Sequence, residues 1–322
     1  MTSSPQAPLP SGFGPHTTAK EAIAGLDLRG KNVIVTGGYS GLGLEAAKAF
    51  ADHGATVIVP ARSPDKARAA LESLNVEQEE LDLFDPASID AFAGRFLASR
   101  RALHVLVNSA GIMAPPLSRD DRGYESQFAT NHLGHFQLAM RLWPALVKAK
   151  GARVVSVSSR GHRISAIDFE DPFFDKRPYD KWKAYGQSKT ANVLFAVELD
   201  RRGQKDGVRA LALDPGVIQT ELSRHMTDDD YKMFGVDRIG GKLVPRRPEE
   251  YKTAEQGAGT IAWCAFNKQL DGIGGVYCED GDVAVAVPAD APTGPGVRPW
   301  AIDPALAQQL WTASERWTGV GL

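Results

Sequence analysis

The sequence has few cysteines, no long apolar run and almost no net charge. Two cysteines in 322 residues, Cys264 and Cys278, are too few for a disulfide framework and fit a reducing compartment. The 37 basic and 39 acidic residues give a net charge of −2, so charge does not favour nucleic acid or an anionic membrane. No stretch could span a bilayer, and the polar N-terminus, 1–20, lacks the apolar core of a signal peptide. We therefore expect a cytoplasmic protein with no membrane or nucleic-acid partner.

The sequence also offers little to a metal ion. It contains neither a C-x-x-C motif nor a cluster of cysteines and histidines. His132 and His135 are close along the chain, but no carboxylate or third ligand stands at a suitable spacing. We expect both to be core or surface histidines and predict no metal site.

Strand patterns alternate with helical patterns along most of the chain. The seven strand candidates are residues 32–36, 55–59, 79–83, 105–108, 153–158, 208–213 and 276–278. The helical patterns are residues 44–53, 65–74, 87–98, 124–147, 184–201, 255–266 and 305–317. Strands separated by helices require right-handed crossovers and form a mostly parallel sheet. The sequence therefore predicts an α/β fold, a single doubly wound Rossmann domain with about seven parallel strands and helices on both faces.

Segments outside this alternation complete the predicted organisation. We expect an N-terminal extension at 1–30, a dinucleotide-binding and catalytic domain at 31–286, and a C-terminal tail with a short helix at 287–322. Inside the domain, residues 163–183 form a charged and aromatic insertion, and residues 220–250 are predicted to be a substrate lid, because loops of such length are more often functional than idle.

A glycine-rich turn, TGGYSGLG at 36–43, joins the first strand to the first long helix. Glycines at 37, 41 and 43 allow a tight turn and close approach of the backbone to a pyrophosphate. The free N–H groups and the dipole of the following helix favour an anion there. The spacing differs from G-x-G-x-x-G, so a glycine-rich turn without a ligand is the alternative.

The end of the second strand bears on the choice of dinucleotide. Proteins that select NAD usually place an acidic residue here against the ribose 2′-hydroxyl. This sequence instead has Ala61 followed by Arg62, and a guanidinium can pair with a 2′-phosphate. The pattern favours NADP, with NAD still possible; a solvated loop arginine is the alternative.

Tyr185 and Lys189 stand four residues apart and therefore on one face of a helix. A phenol with a pKa of about 10 is a poor base at neutral pH. A nearby ammonium is expected to lower that pKa toward the working range. Upstream, an apolar strand ends in Ser158 and Ser159, at the kind of strand end where open sheets bind ligands. There Ser159 can hydrogen-bond a substrate oxygen, or it can cap a helix or turn.

Asn131 and Gly134 interrupt a helical pattern in which both are unfavourable residues. We expect a local irregularity of the helix at this point. A buried asparagine that satisfies backbone groups is a second interpretation, and the two are compatible.

Taken together, the motifs resemble the short-chain dehydrogenase/reductase superfamily. The matching residues occur in the expected order over roughly 30–280 and are the turn at 36–43, Asp82-Leu83, Asn108-Ser109-Ala110-Gly111, Asn131, Ser159, Tyr185 with Lys189, and Pro215-Gly216 with Thr220. Within the superfamily the chain resembles the retinol dehydrogenase, WW-domain-containing oxidoreductase and protochlorophyllide reductase branch. Ser109 departs from the motif, which commonly has a second asparagine, but a small polar residue should fit.

The resemblance implies a catalytic tetrad and a cofactor site. Tyr185 would be the acid/base, Lys189 would orient the ribose and lower the pKa of the tyrosine, Ser159 would hold the carbonyl, and Asn131 would anchor a relay water. The residues implied to bind the cofactor are Gly37, Tyr39, Ser40, Gly41, Leu42, Gly43, Arg62, Asp82, Leu83, Asn108, Ala110, Gly111, Tyr185, Lys189, Pro215, Gly216 and Thr220.

We therefore predict an NADP-dependent oxidoreductase that transfers a hydride between nicotinamide and a carbonyl or alcohol. The aromatic residues of the insertion and the lid favour an apolar or aromatic small molecule, although they could equally pack the insertion onto the domain. The alternatives are an NADP-dependent epimerase or dehydratase and a non-catalytic nucleotide-sensing protein. The helical patterns at 124–147 and 184–201 resemble the dimer faces of the superfamily, which leaves a homodimer open.

Overall fold

Apolar parallel strands form the centre of the fold. The computed structural model describes residues 5–292 and 294–322. Its strands are β1 (Asn32–Thr36), β2 (Thr56–Ala61), β3 (Glu77–Glu80), β4 (Val105–Asn108), β5 (Ala152–Val157), β6 (Val208–Asp214), β7 (Val217–Ile218), β8 (Val236–Ile239), β9 (Lys242–Pro245), β10 (Tyr251–Lys252), β11 (Val276–Glu279) and β12 (Asp282–Val283). Within this part of the chain, eight strands form one sheet in the order β12-β11-β6-β5-β4-β1-β2-β3.

The prediction of a doubly wound, mostly parallel sheet is confirmed, with one strand more than the seven predicted. Every neighbouring pair is parallel except β11 and β12, which form an antiparallel hairpin. The hairpin turns through Asp280 and Gly281, both with positive φ, as two-residue turns between antiparallel strands require. Its second strand has only two residues, too few to produce a detectable alternation in the sequence.

Helices cover both faces of the sheet. They are α1 (Ala19–Ala22), α2 (Gly41–Asp52), α3 (Pro64–Leu71), α4 (Pro86–Ala98), α5 (Ser126–Phe128), α6 (Gly134–Arg141), α7 (Trp143–Lys148), α8 (Lys181–Gly203), α9 (Asp228–Met233), α10 (Ala254–Gly257), α11 (Gly259–Phe266) and α12 (Pro304–Thr318). In β1, Val33 and Val35 face a core shared with α2, α3 and α11, whereas Ile34 faces a core shared with α4, α6 and α8. Successive strand residues point to opposite faces, so burial on both sides explains the continuous apolar runs.

The terminal segments pack onto the domain. Ala22 and Ile23 lie in the same core as α11, and the Asn267 side chain donates a hydrogen bond to the Ala22 carbonyl. At the other end, α12 packs along α8, where Trp311 stacks on Phe195 with ring centroids 6.1 Å apart. Part of the α8 surface that resembles a dimer face is therefore covered by the chain's own last helix.

The helix predicted over 124–147 is interrupted where the sequence indicated. It consists of α5, a π-helical turn at Ala129–Leu133, α6 and α7. The π-helical turn contains Asn131. Gly134 comes directly after the turn and packs against the carbonyl of Leu83, so that a Cβ atom at position 134 would have no room. Within the described residues, no helix combines the length and the apolar character that a membrane span requires.

Candidate active site

The carboxyl ends of β1, β4, β5 and β6 lie side by side and carry the predicted site residues. In the sheet register Thr36 pairs with Asn108, Asn108 with Ser156, and Val157 with Leu213. The segments that follow these strands, which include Gly37, Ala110 and Ser159, therefore emerge along one edge of the sheet. This edge is where open α/β sheets bind ligands.

The glycine-rich turn after β1 is tight enough to require its glycines. Gly37 has φ +68°, and a Cβ atom on it would lie 3.0 Å from the Cα of Ala110. A Cβ atom on Gly43 would lie 2.5 Å from the carbonyl oxygen of Gly37. Ser40 is the N-cap of the 12-residue helix α2, but its side chain makes no capping hydrogen bond. The turn therefore presents a bare backbone and an uncapped helix N-terminus, which suit a phosphate.

Further residues implied to bind the cofactor border this turn. A Cβ atom on Gly41 would lie 3.4 Å from Cγ2 of Thr220, so Thr220 stands directly over the turn. Arg62 is exposed and follows β2, the strand beside β1. Asp82 accepts a hydrogen bond from the backbone N–H of Phe84 at 2.9 Å, and this bond shapes the loop after β3.

The other members of the implied cofactor set lie in the same region. Leu83 is buried, Tyr39 and Leu42 pack against the core beside α2, and Asn108 ends β4 with its side chain buried. Gly216 has φ +89°, and a Cβ atom there would lie 2.6 Å from Cε of Lys252. The backbone after Pro215 is therefore restricted to glycine at this position.

The two histidines serve the structure. Nε2 of His135 lies 2.9 Å from the Thr36 hydroxyl, and Nδ1 of His135 lies 2.9 Å from the carbonyl oxygen of Asn131. His132 contacts the hydroxyl of Ser314 at 2.8 Å. Burial lowers the pKa of His135 to about 4 and that of His132 to about 3, so both are neutral at physiological pH. Among the described residues, no group of three or more potential metal ligands occurs.

Tyr185 and Lys189 lie on one face of α8, and both are buried. The Lys189 ammonium is 5.6 Å from the centroid of the Tyr185 ring and donates a hydrogen bond to the Val157 carbonyl at 3.1 Å. A Cβ atom on Gly111 would lie 3.1 Å from Oδ1 of Asn131 and 3.7 Å from Nζ of Lys189. Gly111 thus allows three of the predicted site residues to approach one another.

The two serines after β5 have different environments. The Ser158 hydroxyl is buried and donates to the carbonyl of Lys189 at 2.8 Å. The Ser159 hydroxyl instead lies beside the Tyr185 ring, since a Cβ atom on Gly161 would be 3.4 Å from Oγ of Ser159 and 2.6 Å from Cε1 of Tyr185. It accepts a hydrogen bond from the backbone N–H of Gly161 at 3.0 Å. Ser159 therefore caps the short turn Arg160–Arg163, and its contact with a substrate oxygen stays a prediction.

The Asn131 side chain is fully engaged with the protein. Its Oδ1 accepts from the N–H of Ile112 at 2.9 Å, and its Nδ2 donates to the carbonyl of Ile112 and the hydroxyl of Ser188, each at 3.0 Å. Ser188 in turn donates to the Tyr185 carbonyl. Asn131 thus connects the loop after β4 to the helix that carries Tyr185.

The pKa of Tyr185 differs from the expectation that the Lys189 ammonium lowers it toward neutral pH. Burial raises the pKa of Tyr185 to about 12, and the negative charge of Asp214 acts in the same direction, whereas the Ser159 hydroxyl acts downward. Burial also lowers the pKa of Lys189 to about 8, and the negative charge of Asp214 opposes that change. The reason is that desolvation of the buried phenol outweighs the contact that lowers its pKa. At neutral pH the phenol is protonated and can act as an acid.

Two residues of this site were missed from the sequence. A Cβ atom on Gly161 would lie 2.6 Å from Cε1 of Tyr185, so the glycine makes room for the ring. Asp214 ends β6 and is buried beside Arg160. The signal for Asp214 was an acidic residue at the end of an apolar strand, directly before Pro215-Gly216.

The predicted insertion and lid have distinct contacts. Phe173 and Phe174 are buried, and Phe173 stacks on Tyr124 with ring centroids 4.4 Å apart, so this part of the insertion packs onto the domain. Trp182 is different, because its ring lies 6.3 Å from that of Tyr185 and 4.7 Å from that of Phe234 in the lid segment.

Comparisons with known proteins agree with this arrangement. The family model for short chain dehydrogenase matches residues 31–231. The chain is 46% identical to a probable oxidoreductase of Streptomyces lividans, over 89% of this chain and 97% of that protein. It is 39% identical to human retinol dehydrogenase 12, over 79% of each chain. The crystal structure of an uncharacterized protein from Mycobacterium paratuberculosis matches with a TM-score of 0.70 and 33% identity, over 93% of this chain and 97% of that chain.

Proposed function

Because the chain belongs to the short-chain dehydrogenase/reductase family and is an NAD(P)-dependent oxidoreductase, we propose that it uses NADP to interconvert a carbonyl and an alcohol on an apolar small molecule. The observation that carries this proposal is the buried Tyr185 phenol, which has the Ser159 hydroxyl and the Lys189 ammonium beside it at the edge of the sheet where open α/β sheets bind ligands. We assign catalysis to Tyr185, Lys189, Ser159 and Asn131.

The glycine-rich turn fits a dinucleotide. At Gly37 and Gly43 a Cβ atom would meet neighbouring backbone, so the turn presents only main-chain groups there, and the N-terminus of α2 lacks a side-chain cap. The turn would hold the pyrophosphate, and Asp82 and Leu83 would border the adenine. When bound, the nicotinamide supplies or accepts the hydride.

Tyr185 would move the proton of the reaction. In the direction of reduction its protonated phenol donates to the oxygen of the carbonyl, while the Ser159 hydroxyl hydrogen-bonds the same oxygen. Lys189 favours the phenolate that remains, because a cation close to the ring stabilises negative charge on it. Asn131 fixes the loop at Ile112 by a direct hydrogen bond. It also fixes the carbonyl of Tyr185 indirectly, because it donates to Ser188 and Ser188 donates to that carbonyl.

Arg62 supports the choice of NADP over NAD. Its side chain is exposed beyond β2, where the guanidinium is free to form a bidentate pair with a 2′-phosphate. The nearby acidic residue Glu79 has its carboxylate held by Arg95 at 2.9 Å. That ion pair reduces the repulsion that a 2′-phosphate would otherwise meet from Glu79.

Aromatic residues support an apolar substrate. Trp182 lies between Tyr185 and Phe234, and Phe234 is 46% exposed at the surface of the lid segment. Exposed aromatic surface beside a catalytic tyrosine favours an apolar ligand. Retinol dehydrogenase 12, by its name, acts on an apolar alcohol, which agrees with this proposal.

Replacement of the phenol tests the function. Tyr185→Phe should reduce NADPH-dependent turnover of a panel of aromatic and aliphatic carbonyls by about 1000-fold, because the proton donor is lost. The Kd of NADPH should be nearly unchanged. Tyr251→Phe, a half-buried tyrosine outside the proposed tetrad, is the matched control and should retain activity.

Two results would contradict the proposal. Full turnover by Tyr185→Phe would remove the tyrosine from the reaction. Deuterium from [4-²H]NADPH that returns to the cofactor instead of remaining in the product would indicate an epimerase rather than a net reductase.

A further inference from the structure

Lys189 is a buried cation with little direct compensation. Its side chain donates to the Val157 carbonyl at 3.1 Å, and among the described residues no carboxylate forms an ion pair with it. A buried ammonium is costly unless a negative charge lies nearby. The carboxylate whose charge acts on Lys189 is that of Asp214.

The sheet places Asp214 next to the carbonyl that binds Lys189. Val157 and Leu213 are register partners in β5 and β6, and the N–H of Ser158 donates to the carbonyl of Leu213 at 2.7 Å. Asp214 follows Leu213 directly, so it comes at the level of the Val157–Ser158 peptide. Its side chain is only 3% exposed, so its charge is weakly screened by solvent.

Asp214 also contacts the segment that contains Ser159. Its Oδ1 accepts a hydrogen bond from the backbone N–H of Arg160 at 3.1 Å, and its Oδ2 lies 3.3 Å from Nε of Arg160. The first of these bonds fixes the peptide between Ser159 and Arg160. Since the Ser159 hydroxyl lies beside the Tyr185 ring, movement of this peptide would displace that hydroxyl.

We propose that Asp214 is a positioning residue for the reaction, whose buried carboxylate at the end of β6 compensates the Lys189 ammonium bound at the end of β5 and fixes the peptide that carries Ser159. The proposal deepens the proposed function, since it assigns a role toward two members of the tetrad. It is independent of which carbonyl is the substrate.

Several other charges face this carboxylate. Arg160 and Lys252 are its positive neighbours, and Asp280 acts as a negative one although it is paired with Lys252 at 2.5 Å. Glu279, the register partner of Asp214, accepts from the N–H of Gly296. Burial raises the pKa of Asp214, while Arg160 and Lys252 act in the opposite direction and favour its charged form.

The sign of the expected effect follows from these charges. Burial lowers the pKa of Lys189 to about 8, and the charge of Asp214 acts upward on it. Asp214→Asn removes the charge but keeps an oxygen that can accept from the N–H of Arg160. The pKa of Lys189 should therefore fall further, and a smaller fraction of the enzyme should carry the ammonium at neutral pH.

The experiment follows Lys189 directly in the cofactor-free protein. Lysine labelled with ¹³C at Cε is incorporated, the Lys189 resonance is assigned by its loss in Lys189→Arg, and its shift is followed with pH. In Asp214→Asn the midpoint should lie about one pH unit below that of the wild type. If that variant does not fold, Asp214→Ser, which is also neutral and small, replaces it.

Asp200→Asn is the matched control. Asp200 is also buried and paired with an arginine of β6, Arg209, at 2.7 Å, but its charge is not among those that act on Lys189 or Tyr185. The control should lose a similar ion pair and leave the Lys189 midpoint unchanged. An unchanged midpoint in Asp214→Asn, or equal shifts in both variants, would overturn the proposal.

A kinetic arm separates this proposal from the proposed function. With any carbonyl that the enzyme reduces, the midpoint of the kcat–pH profile that reports Lys189 should move to lower pH in Asp214→Asn but not in Asp200→Asn. A profile in Asp214→Asn that does not move would count against Asp214 even if the enzyme is active. If no carbonyl is reduced, the proposed function fails while the resonance of Lys189 still decides the role of Asp214.

Discussion

The proposed cofactor side and the proposed substrate side of this site are built in different ways. On the cofactor side, the turn at 36–43 is determined by backbone contacts, such as that between positions 43 and 37, which leave no room for a side chain. On the substrate side, the lid segment 220–250 presents apolar side chains to solvent, with Met233 60% and Phe234 46% exposed. The first kind of structure constrains the residue type strictly, and the second constrains it weakly. The first could therefore be predicted from the sequence of this chain, and the second could not.

Among substitutions that distinguish the two sides, the largest effect is expected from a methyl group added on the cofactor side. Gly43→Ala places a Cβ atom 2.5 Å from the carbonyl of Gly37, and backbone atoms cannot move aside cheaply. We expect the Kd of NADPH, measured by fluorescence titration, to rise by about 100-fold or more.

Gly94→Ala is the control for that substitution. Gly94 lies inside α4, and a Cβ atom there would meet nothing within 4 Å. This variant should bind NADPH normally and be slightly more stable to heat, since alanine is the better helix former. Normal NADPH binding by Gly43→Ala would show that the turn tolerates side chains and would remove the contrast between the two sides.

The same contrast explains how much could be predicted from the sequence. The alternation of strands and helices and the turn glycines were recognisable because they depend on local pattern and backbone geometry. Gly161 could not be recognised in this way. A side chain is excluded there by the ring of Tyr185, which lies on α8, 24 positions later in the sequence. Asp214 was missed for a similar reason, because its partner Arg160 is distant in sequence. Long-range contacts between side chains leave no local signal.

Helix interruption is an intermediate case. Asn131 and Gly134 predicted an irregularity, and the π-helical turn at Ala129–Leu133 lies there. The sequence could not show that the Asn131 side chain would contact Ile112 and Ser188, because those partners come from a loop and another helix. The substrate side was the least predictable part, since Phe173 packs into the domain whereas Trp182 faces the lid, and both are simply aromatic in the sequence.

A smaller effect is expected where the cofactor side ends in an exposed side chain. Arg62→Ala should raise the KM of NADPH about 10- to 100-fold and leave that of NADH nearly unchanged, because a charge-assisted contact with the 2′-phosphate is worth about 1.5–3 kcal/mol. Arg68→Ala, an exposed arginine of α3 that pairs with Asp65 at 3.5 Å, is the control and should change neither value. Equal effects of Arg62→Ala on both cofactors would defeat the NADP assignment.

The smallest effect is expected from the contact that joins the proposed lid to α8, the helix that carries Tyr185. Asp230 of α9 accepts from the Lys181 ammonium at 2.5 Å and from the indole N–H of Trp182 at 2.9 Å, and both partners begin α8. Burial acts to raise the pKa of Asp230, but these hydrogen bonds and those from Thr227 lower it to about 2. The contact is therefore fully formed at neutral pH and is lost only as the pH falls through that value.

Asp230→Asn should raise the KM of an apolar carbonyl about threefold to tenfold, with kcat and NADPH binding little changed. The reason is that one charge-assisted contact is weakened while the tetrad is untouched. Asp229→Asn is the control, since that neighbouring carboxylate is 96% exposed and 3.8 Å from Lys232, and it should behave as the wild type. If Asp230→Asn lowered NADPH affinity as strongly as substrate affinity, the lid would belong to both sides of the site and the division between them would not hold.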